Sequence, residues 1–215
     1  GPTATERLIQ LFLLITVMAL APSILVMTTS FIRIVIVLSF LRTAMGAQQT
    51  PPNQVLMALA LFLTFFIMSP TFEAAWEQGV RPYVDGEIEE KEAFERSLRP
   101  LQNFMQKFVR DQDLKLFMDI ANIPPVATPN DIPAKVLIPA FIISELRRAF
   151  EIGFLVFIPF LVIDMVVASV LMSMGMMMLP PIIIALPFKI IFFVLVDGWF
   201  LIVGSLVQSF GALGP

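Results

Sequence analysis

The sequence predicts an all-α integral membrane protein: two long kinked helical hairpins with a small extracytoplasmic helical domain between them. Of the 215 residues, 58% are hydrophobic and the mean hydropathy is +0.87, whereas soluble domains are about 45–50% apolar. Only 14% of the residues are charged, against about 25% in a typical soluble domain. The uncharged runs Leu8–Ile32 and Val55–Phe72 both reach the length of about 18 residues that indicates a spanning helix.

The missing residue types exclude several classes of function. The chain contains no Cys and no His, which excludes thiol nucleophiles, disulfides, Cys/His zinc sites, imidazole acid–base catalysis and the usual haem ligands. A net charge of −3 argues for no nucleic-acid partner. The sequence has no recognisable catalytic constellation and no phosphate-binding glycine loop, so we expect no enzyme, no cofactor and no metal site.

Residues 1–72 are predicted to form the first apolar hairpin. Its first helix is expected to run over Leu8–Leu41 with a kink at Pro22. The turn TAMGAQQTPPN is rich in glycine and proline. A second helix then returns over Gln54–Pro70.

Residues 73–134 are predicted to form the small polar domain, because they hold 12 of the 17 acidic and 7 of the 14 basic side chains. Apolar spacing predicts helices at Ala93–Met105 and Lys107–Ile120, and IPPVATPNDIP predicts an extended connector. The first turn of the chain carries Arg42 and no acid, which indicates the cytoplasmic side. The polar domain is therefore expected outside the cytoplasm.

Residues 135–215 are predicted to form the second apolar hairpin, with a methionine-rich tip that returns to the side of the first turn. Its outgoing helix, Lys135–Leu171, would be more than about 50 Å long. Because a bilayer core is only about 30 Å thick, part of this helix must lie at an interface or be buried in protein. The chain is expected to return as one helix over Ile182–Gln208.

The tip sequence VLMSMGMMMLPP places five methionines within seven residues. Unbranched, polarizable methionine often fills gaps in a core, but a core would mix in the Leu and Phe that abound elsewhere in this chain. The run also lies at a turn with Gly175 and two prolines, where there is little core to fill. Flexible apolar side chains converging from several copies would instead form a deformable seal, and both interpretations stay open on the residues alone. The candidates are Met172, Met174, Met176, Met177 and Met178.

Two opposite charges lie inside the second apolar hairpin. Asp164 precedes the tip and Lys189 follows it at matching distances, so a symmetric hairpin would place them at the same height. Charges within apolar segments are usually paired or line a pathway. We expect a buried ion pair that pins the hairpin, with a role in moving protons or ions as the alternative.

Arg33 and Arg42 have no acidic residue across their own hairpin. Their partners must come from another segment, another subunit, lipid headgroups or water, and Asp197 is a candidate partner on another chain. The two arginines therefore indicate oligomerisation, with snorkelling toward headgroups as the alternative.

The run SELRRAFE places several charges in the middle of an apolar helix. Glu145 and Arg148 are spaced i,i+3 and Arg147 and Glu151 are spaced i,i+4, so the run can neutralise itself on a helix. We expect a solvated helix surface here, with a subunit contact as the second interpretation.

Four stretches together resemble the FliP family, the flagellar biosynthetic proteins of the bacterial type III export apparatus. They are TSFIRIVIVLSFLRTAMG, PPNQVLMALALFLTFFIMSP, FIPFLVIDMVVASVLMSMGMMMLPP and ALPFKIIFFVLVDGW. The resemblance implies an export gate in the bacterial inner membrane, at the flagellar basal body. Several copies, with a pentamer expected, would assemble with FliQ, FliR and other membrane proteins of the apparatus around a closed pore for unfolded flagellar proteins.

The resemblance also gives the five tip methionines the role of a gasket in this pore. It implies that the helical hairpins pack largely against other subunits, at or above the outer surface of the inner membrane, and that the 73–134 domain is periplasmic. The injectisome counterpart shares the PPN and DGW elements, whereas LFLTFFIMSP is more similar to flagellar members. Without the resemblance, a small multi-pass transporter with an Asp164–Lys189 pair is the runner-up.

Overall fold

The structure is a computed structural model that describes residues 3–212, so the outermost ends of the first and third predicted segments lie outside it. The described chain is helical apart from its turns and connectors. A π-helical turn at Trp76–Val80 joins α3 to α4, and a 3₁₀ turn at Pro129–Asp131 precedes α7. The helices are α1 (Ala4–Met27), α2 (Phe31–Ala44), α3 (Asn53–Ala75), α4 (Arg81–Val84), α5 (Glu90–Phe108), α6 (Asp111–Ile120), α7 (Ala134–Ser173), α8 (Pro181–Leu195) and α9 (Gly198–Ser209).

Helix α2 is the centre of the main core. Apolar residues on most of its circumference are buried against α3, α7 and the end of α9, with phenylalanines of α5 packed against the same cluster. It lies alongside α7 and runs parallel to it, since Arg33 contacts Glu145 and the Phe40 ring contacts Gly153. A Cβ at Gly153 would come within 2.6 Å of that ring, so a glycine is required at this close approach.

Helix α8 packs antiparallel to α7. Phe160 of α7 and Phe193 of α8 share a second core cluster with Leu41, Ala44 and Met45 at the end of α2. Beyond α8 the chain bends by 63° into α9. The expected single helix Ile182–Gln208 is therefore wrong: it breaks at Asp197, which has a left-handed backbone with φ 53°.

The two helices predicted in the central segment are present as α5 and α6. Helix α5 extends to Phe108, so α6 begins at Asp111 and not at Lys107 as expected. Both helices pack on the first turns of α7, where Met105, Leu137 and Phe141 belong to a third core cluster. The polar segment is thus held to the start of the long helix.

Two other boundaries in the first segment differ from the predictions. The expected Leu8–Leu41 helix is interrupted at Thr28–Ser30, while Pro22 lies within the continuous helix α1. The hydroxyl and the amide of Thr28 both donate to the Ile24 carbonyl oxygen (2.9 and 3.0 Å) where the helix ends. Helix α3 continues past Pro70 to Ala75.

The long apolar helices have the dimensions of membrane helices. Within the described chain, three helical stretches are long and apolar enough to cross a membrane, Ala4–Met27, Asn53–Val84 and Ala134–Ser173, and the bent pair of α8 and α9 would make a fourth. The 40 residues of α7 correspond to about 60 Å, so this helix is longer than a bilayer core, as the sequence predicts. Helix α1 has no buried residue.

Candidate functional site

The methionine-rich tip is a short, well-defined turn between α7 and α8. The amide of Met176 donates to the Leu171 carbonyl (2.9 Å) and the amide of Gly175 to the Met172 carbonyl (3.1 Å). This pair of hydrogen bonds is a Schellman motif, which requires a left-handed residue after the helix. Gly175 supplies it with φ 76°. These hydrogen bonds close the backbone of the tip between Leu171 and Met176.

The side chains of the tip point away from the core of the chain. The exposed fractions of the five candidate methionines run from 40% at Met176 to 99% at Met178. On the far side of the turn, Pro181 is the first residue of α8. Proline is favoured at this position because an amide hydrogen there would have no acceptor within the helix. The arrangement presents flexible thioethers on an exposed turn, and it excludes core filling within a single copy.

The Asp164–Lys189 pair lies near the tip and joins α7 to α8. The Lys189 Nζ lies 2.7 Å from Asp164 Oδ1. The lysine side chain is buried, whereas about a third of the aspartate side chain is exposed. A Cβ at Gly46 would lie 3.7 Å from this Nζ, so the turn between α2 and α3 also approaches the ammonium group.

A second ion pair, between Arg33 and Glu145, is fully buried in the middle of the molecule. Arg33 Nε donates to Glu145 Oε2 (2.8 Å) and Arg33 Nη2 donates to Oε1 (2.5 Å), and neither side chain is more than 1% exposed. Such bidentate pairs combine charge with fixed geometry. Another segment of the same chain was one of the partners that the sequence allowed for Arg33, and α7 is that segment.

This pair corrects two expectations. Arg33 and Glu145 were candidates for contacts between subunits, but their charges neutralise each other inside one copy. The i,i+3 pair expected between Glu145 and Arg148 is replaced, because Glu145 is buried against α2 while Arg148 is exposed. A buried carboxylate needs a cation that is buried with it.

Arg33 also holds the end of α9. Its Nη1 donates to the carbonyl oxygen of Ser209 (3.2 Å) and to the Ser209 hydroxyl oxygen (3.0 Å). The guanidinium lies 3.7 Å from the centre of the Phe210 ring, a cation–π contact. One side chain of α2 thus joins α7, through Glu145, to the last residues of α9.

The residue before Glu145 makes a further polar contact that joins α6 to α7. The hydroxyl of Ser144 donates to Asp113 Oδ2 (2.7 Å), and the backbone amide of Arg110 donates to the same hydroxyl (3.0 Å). Two guanidinium nitrogens of Arg110 also donate to the Asp113 carboxylate, both at 2.7 Å. These hydrogen bonds, that of Arg110 above all, hold the pKa of Asp113 below its usual range.

Arg42 and Asp197 remain without an opposite charge within ion-pair distance among residues 3–212. Arg42 donates to the Asn53 side-chain oxygen and to the Pro51 carbonyl oxygen. Asp197 is exposed at the break between α8 and α9, and its carboxylate makes no capping hydrogen bond there.

Arg147 and Glu151 form the exposed i,i+4 pair that their spacing suggests, with Arg147 Nε 2.8 Å from Glu151 Oε1. Both side chains are more than half exposed. Arg148, next to them on α7, has no carboxylate within ion-pair distance in the described part of the chain.

Sequence reasoning missed Asp113, Ser144 and Ser209 as partners in the buried polar contacts. A signal for Ser144 was available, because it precedes Glu145 on a helix that is otherwise apolar. No local pattern predicts that Asp113 meets Ser144 or that Ser209 meets Arg33, since each contact spans more than 30 positions of sequence.

The long apolar helices, the buried ion pairs between them and the exposed apolar tip define a multi-helix membrane protein. The sequence model of the FliP family matches residues 14–206. The flagellar biosynthetic protein FliP of Caulobacter vibrioides is 61% identical over 210 residues, which cover 98% of this chain and 79% of the relative. Those of Bacillus subtilis and Aquifex aeolicus are 56% and 52% identical, over 97% and 94% of this chain and 95% and 85% of the relatives.

The chain belongs to the FliP family. Its place is accordingly in flagellar biosynthesis, as a membrane component of the flagellar protein export apparatus.

Proposed function

We propose that this chain is a subunit of the gate through which unfolded flagellar proteins cross the bacterial inner membrane. Several copies, a pentamer in our proposal, assemble with FliQ and FliR at the flagellar basal body, and the methionine tips of the copies meet around the pore axis. The observation that carries the proposal is the tip itself: five exposed methionines on a turn that begins with a Schellman motif.

The chemistry of methionine suits this role. A seal against ions must be apolar, and a seal that lets polypeptides of any sequence through must change shape. Methionine is unbranched, has three rotatable side-chain bonds and a polarizable sulfur, so a ring of thioethers can pack together at rest and rearrange around a passing chain. Leu or Phe would be as apolar but stiffer.

The outer faces of the helices support assembly with other chains. Helix α7 is about twice as long as a bilayer core is thick, so lipid alone cannot cover it. The exposed Arg148 lies on this helix beside the Arg147–Glu151 pair, and we assign these three residues to contacts with neighbouring subunits or with water above the membrane. In this arrangement residues 73–134 lie on the periplasmic side, consistent with Arg42 at a cytoplasmic turn.

The test is ion leakage through the assembled complex. Cells or vesicles containing the chain with FliQ and FliR are compared after changing all five tip methionines to alanine, with Met165→Ala on the same helix as the matched control. The side chain of Met165 is 62% exposed but lies outside the tip. We expect raised ion permeability in the five-residue variant and none in the control. An assembled five-residue variant that stays as tight as the control would contradict the seal.

The alternatives have weaker support. The relatives described above are named as flagellar proteins, which favours the flagellar apparatus over the injectisome counterpart. A small transporter would depend on the Asp164–Lys189 pair, and an Asp164→Asn variant that assembles and supports export normally would remove that reading.

A further inference from the structure

Asp197 is a carboxylate on an apolar surface. Its backbone is left-handed, with φ and ψ both 53°, a conformation that glycine adopts more easily because a Cβ is crowded there. The side chain neither caps α9 nor pairs with a cation within residues 3–212. Its neighbours Leu195 and Phe200 are 79% and 73% exposed. An ionised group on such a surface is costly against lipid, so a partner of opposite charge is expected.

Arg42, in the last turn of α2, is the complementary case. A guanidinium has five donors, and within residues 3–212 Arg42 donates through one nitrogen, Nη1, to Asn53 and Pro51. The end of α2 and the start of α3 therefore carry one incompletely used charge of the opposite sign.

The two charges lie at nearly the same level of the molecule. Leu41, the neighbour of Arg42, packs in the same core cluster as Phe193. Asp197 follows Phe193 by four residues, which is about one helical turn. The two groups lie at a similar height along the helix axes but are not within ion-pair distance. Within one copy they are therefore separated around the circumference of the helix bundle.

A groove beside Asp197 gives this surface a shape. It is apolar, open, about 590 Å³ in volume, and lies between α7 and α9 next to α8. Val196 and Gly198, the two neighbours of Asp197 in sequence, both line it.

We propose that the end of α2 and the start of α3 of one copy dock on the α8–α9 corner of the next copy, with Arg42 paired to Asp197 across the contact. The two surfaces differ, so the contact is heterologous. Because both surfaces lie at a similar height along the helix axes, repeating the contact from copy to copy can close into a ring. The proposal rests on the proposed gate, because it assigns the contact between the copies that the gate requires.

The test is a charge exchange. The chain is expressed with FliQ and FliR as wild type, Arg42→Glu, Asp197→Arg and the double variant, and the oligomeric fraction is measured by native mass spectrometry over a range of concentrations. Lys115→Glu, an exposed charge reversal on α6, is the control. Because like charges facing each other in a contact disfavour association strongly, we expect each single variant to weaken assembly by at least about tenfold. We expect the double variant to recover most of the loss.

A second measurement covers variants that fail to fold. The chain has no cysteine, so copies carrying Arg42→Cys and copies carrying Asp197→Cys can be mixed in one membrane and treated with a short bifunctional thiol reagent. Cross-linked dimers are expected from the mixture but not when Lys115→Cys copies replace the Arg42→Cys copies. The absence of cross-links in a complex of normal mass, or single reversals that assemble like wild type, would overturn this contact alone. A wild-type chain that forms no oligomer with its partners would overturn the gate as well.

Discussion

The buried Arg33–Glu145 pair allows a prediction whose size follows from the structure. Removing one partner of a buried ion pair costs about 3–5 kcal/mol, because the remaining charge is left uncompensated. Glu145→Gln keeps the shape and leaves Arg33 with the oxygens of Ser209 and the Phe210 ring, so we expect the lower end, about 3 kcal/mol. For a chain of this length that corresponds to a fall in Tm of roughly 6–12 °C.

The opposite change should cost more. Arg33→Met leaves the Glu145 carboxylate with no cation and also removes both hydrogen bonds to Ser209, so we expect about 5 kcal/mol. Replacing both partners by apolar residues, Arg33→Met with Glu145→Leu, removes both charges together. Such replacements are often close to neutral, and the double variant should be more stable than Arg33→Met alone.

The assay is thermal unfolding of the detergent-extracted chain, with Arg147→Gln as the control. Arg147 lies two residues after Glu145 and is also paired, but with an exposed partner, and exposed pairs contribute about 0–1 kcal/mol. The comparison therefore separates burial from mere pairing on one helix. If Glu145→Gln lowered the Tm no more than Arg147→Gln does, the reasoning from burial would be refuted.

Three further predictions concern other contacts. Arg110 holds the pKa of Asp113 below its usual range, so the carboxylate stabilises the fold above the unfolded-state pKa, and this contribution is lost as pH falls through the lower folded-state pKa. The Tm difference between wild type and Asp113→Asn should therefore shrink on acidification. A constant difference would contradict the assignment. Gly79→Ala would place a Cβ 2.7 Å or less from the α5 backbone and should cost about 1–3 kcal/mol; an unchanged Tm would contradict the close packing. Asp164→Asn would leave the buried Lys189 ammonium unpaired and should lower the Tm by more than the Arg147→Gln control does, whereas an equal shift would show that the pair contributes little.

The long apolar helices could be predicted from sequence because hydropathy is a local property. The apolar runs and the glycine- and proline-rich turns locate the start of α3 and both ends of α7 to within about two residues, whereas α3 continues past its predicted end at Pro70 to Ala75. The breaks between consecutive helices were harder to predict. Nothing in the apolar pattern separates α8 from α9, because the interruption is caused by one left-handed residue, Asp197, and by Gly198, where a Cβ would collide with the Phe193 ring.

The buried charges were only partly predictable. Asp164 and Lys189 were found because they stand at equal distances from an obvious turn, so hairpin symmetry supplied the geometry. Arg33 and Glu145 belong to different segments, and their pairing depends on α2 and α7 lying side by side in parallel. Local spacing offered Arg148 as a nearer partner, and only burial shows that Glu145 faces the other way.

The positions of these charges along α7 bear on how a methionine seal would work. The helix is tied to α6 through Ser144 near its start, to α2 through Glu145 one residue later, and to α8 through Asp164 toward the tip. These ties restrain α7 from swinging its tip aside, and the Schellman hydrogen bonds of Gly175 close the backbone from Leu171 to Met176 as well. In the proposed gate, the room for a passing polypeptide must therefore come mainly from the methionine side chains, whose rotamers change without breaking any of these contacts. A Gly175→Ala variant, strained at φ 76°, would disturb the turn while keeping all five thioethers; it should leak ions if the fixed backbone is needed to hold them in register.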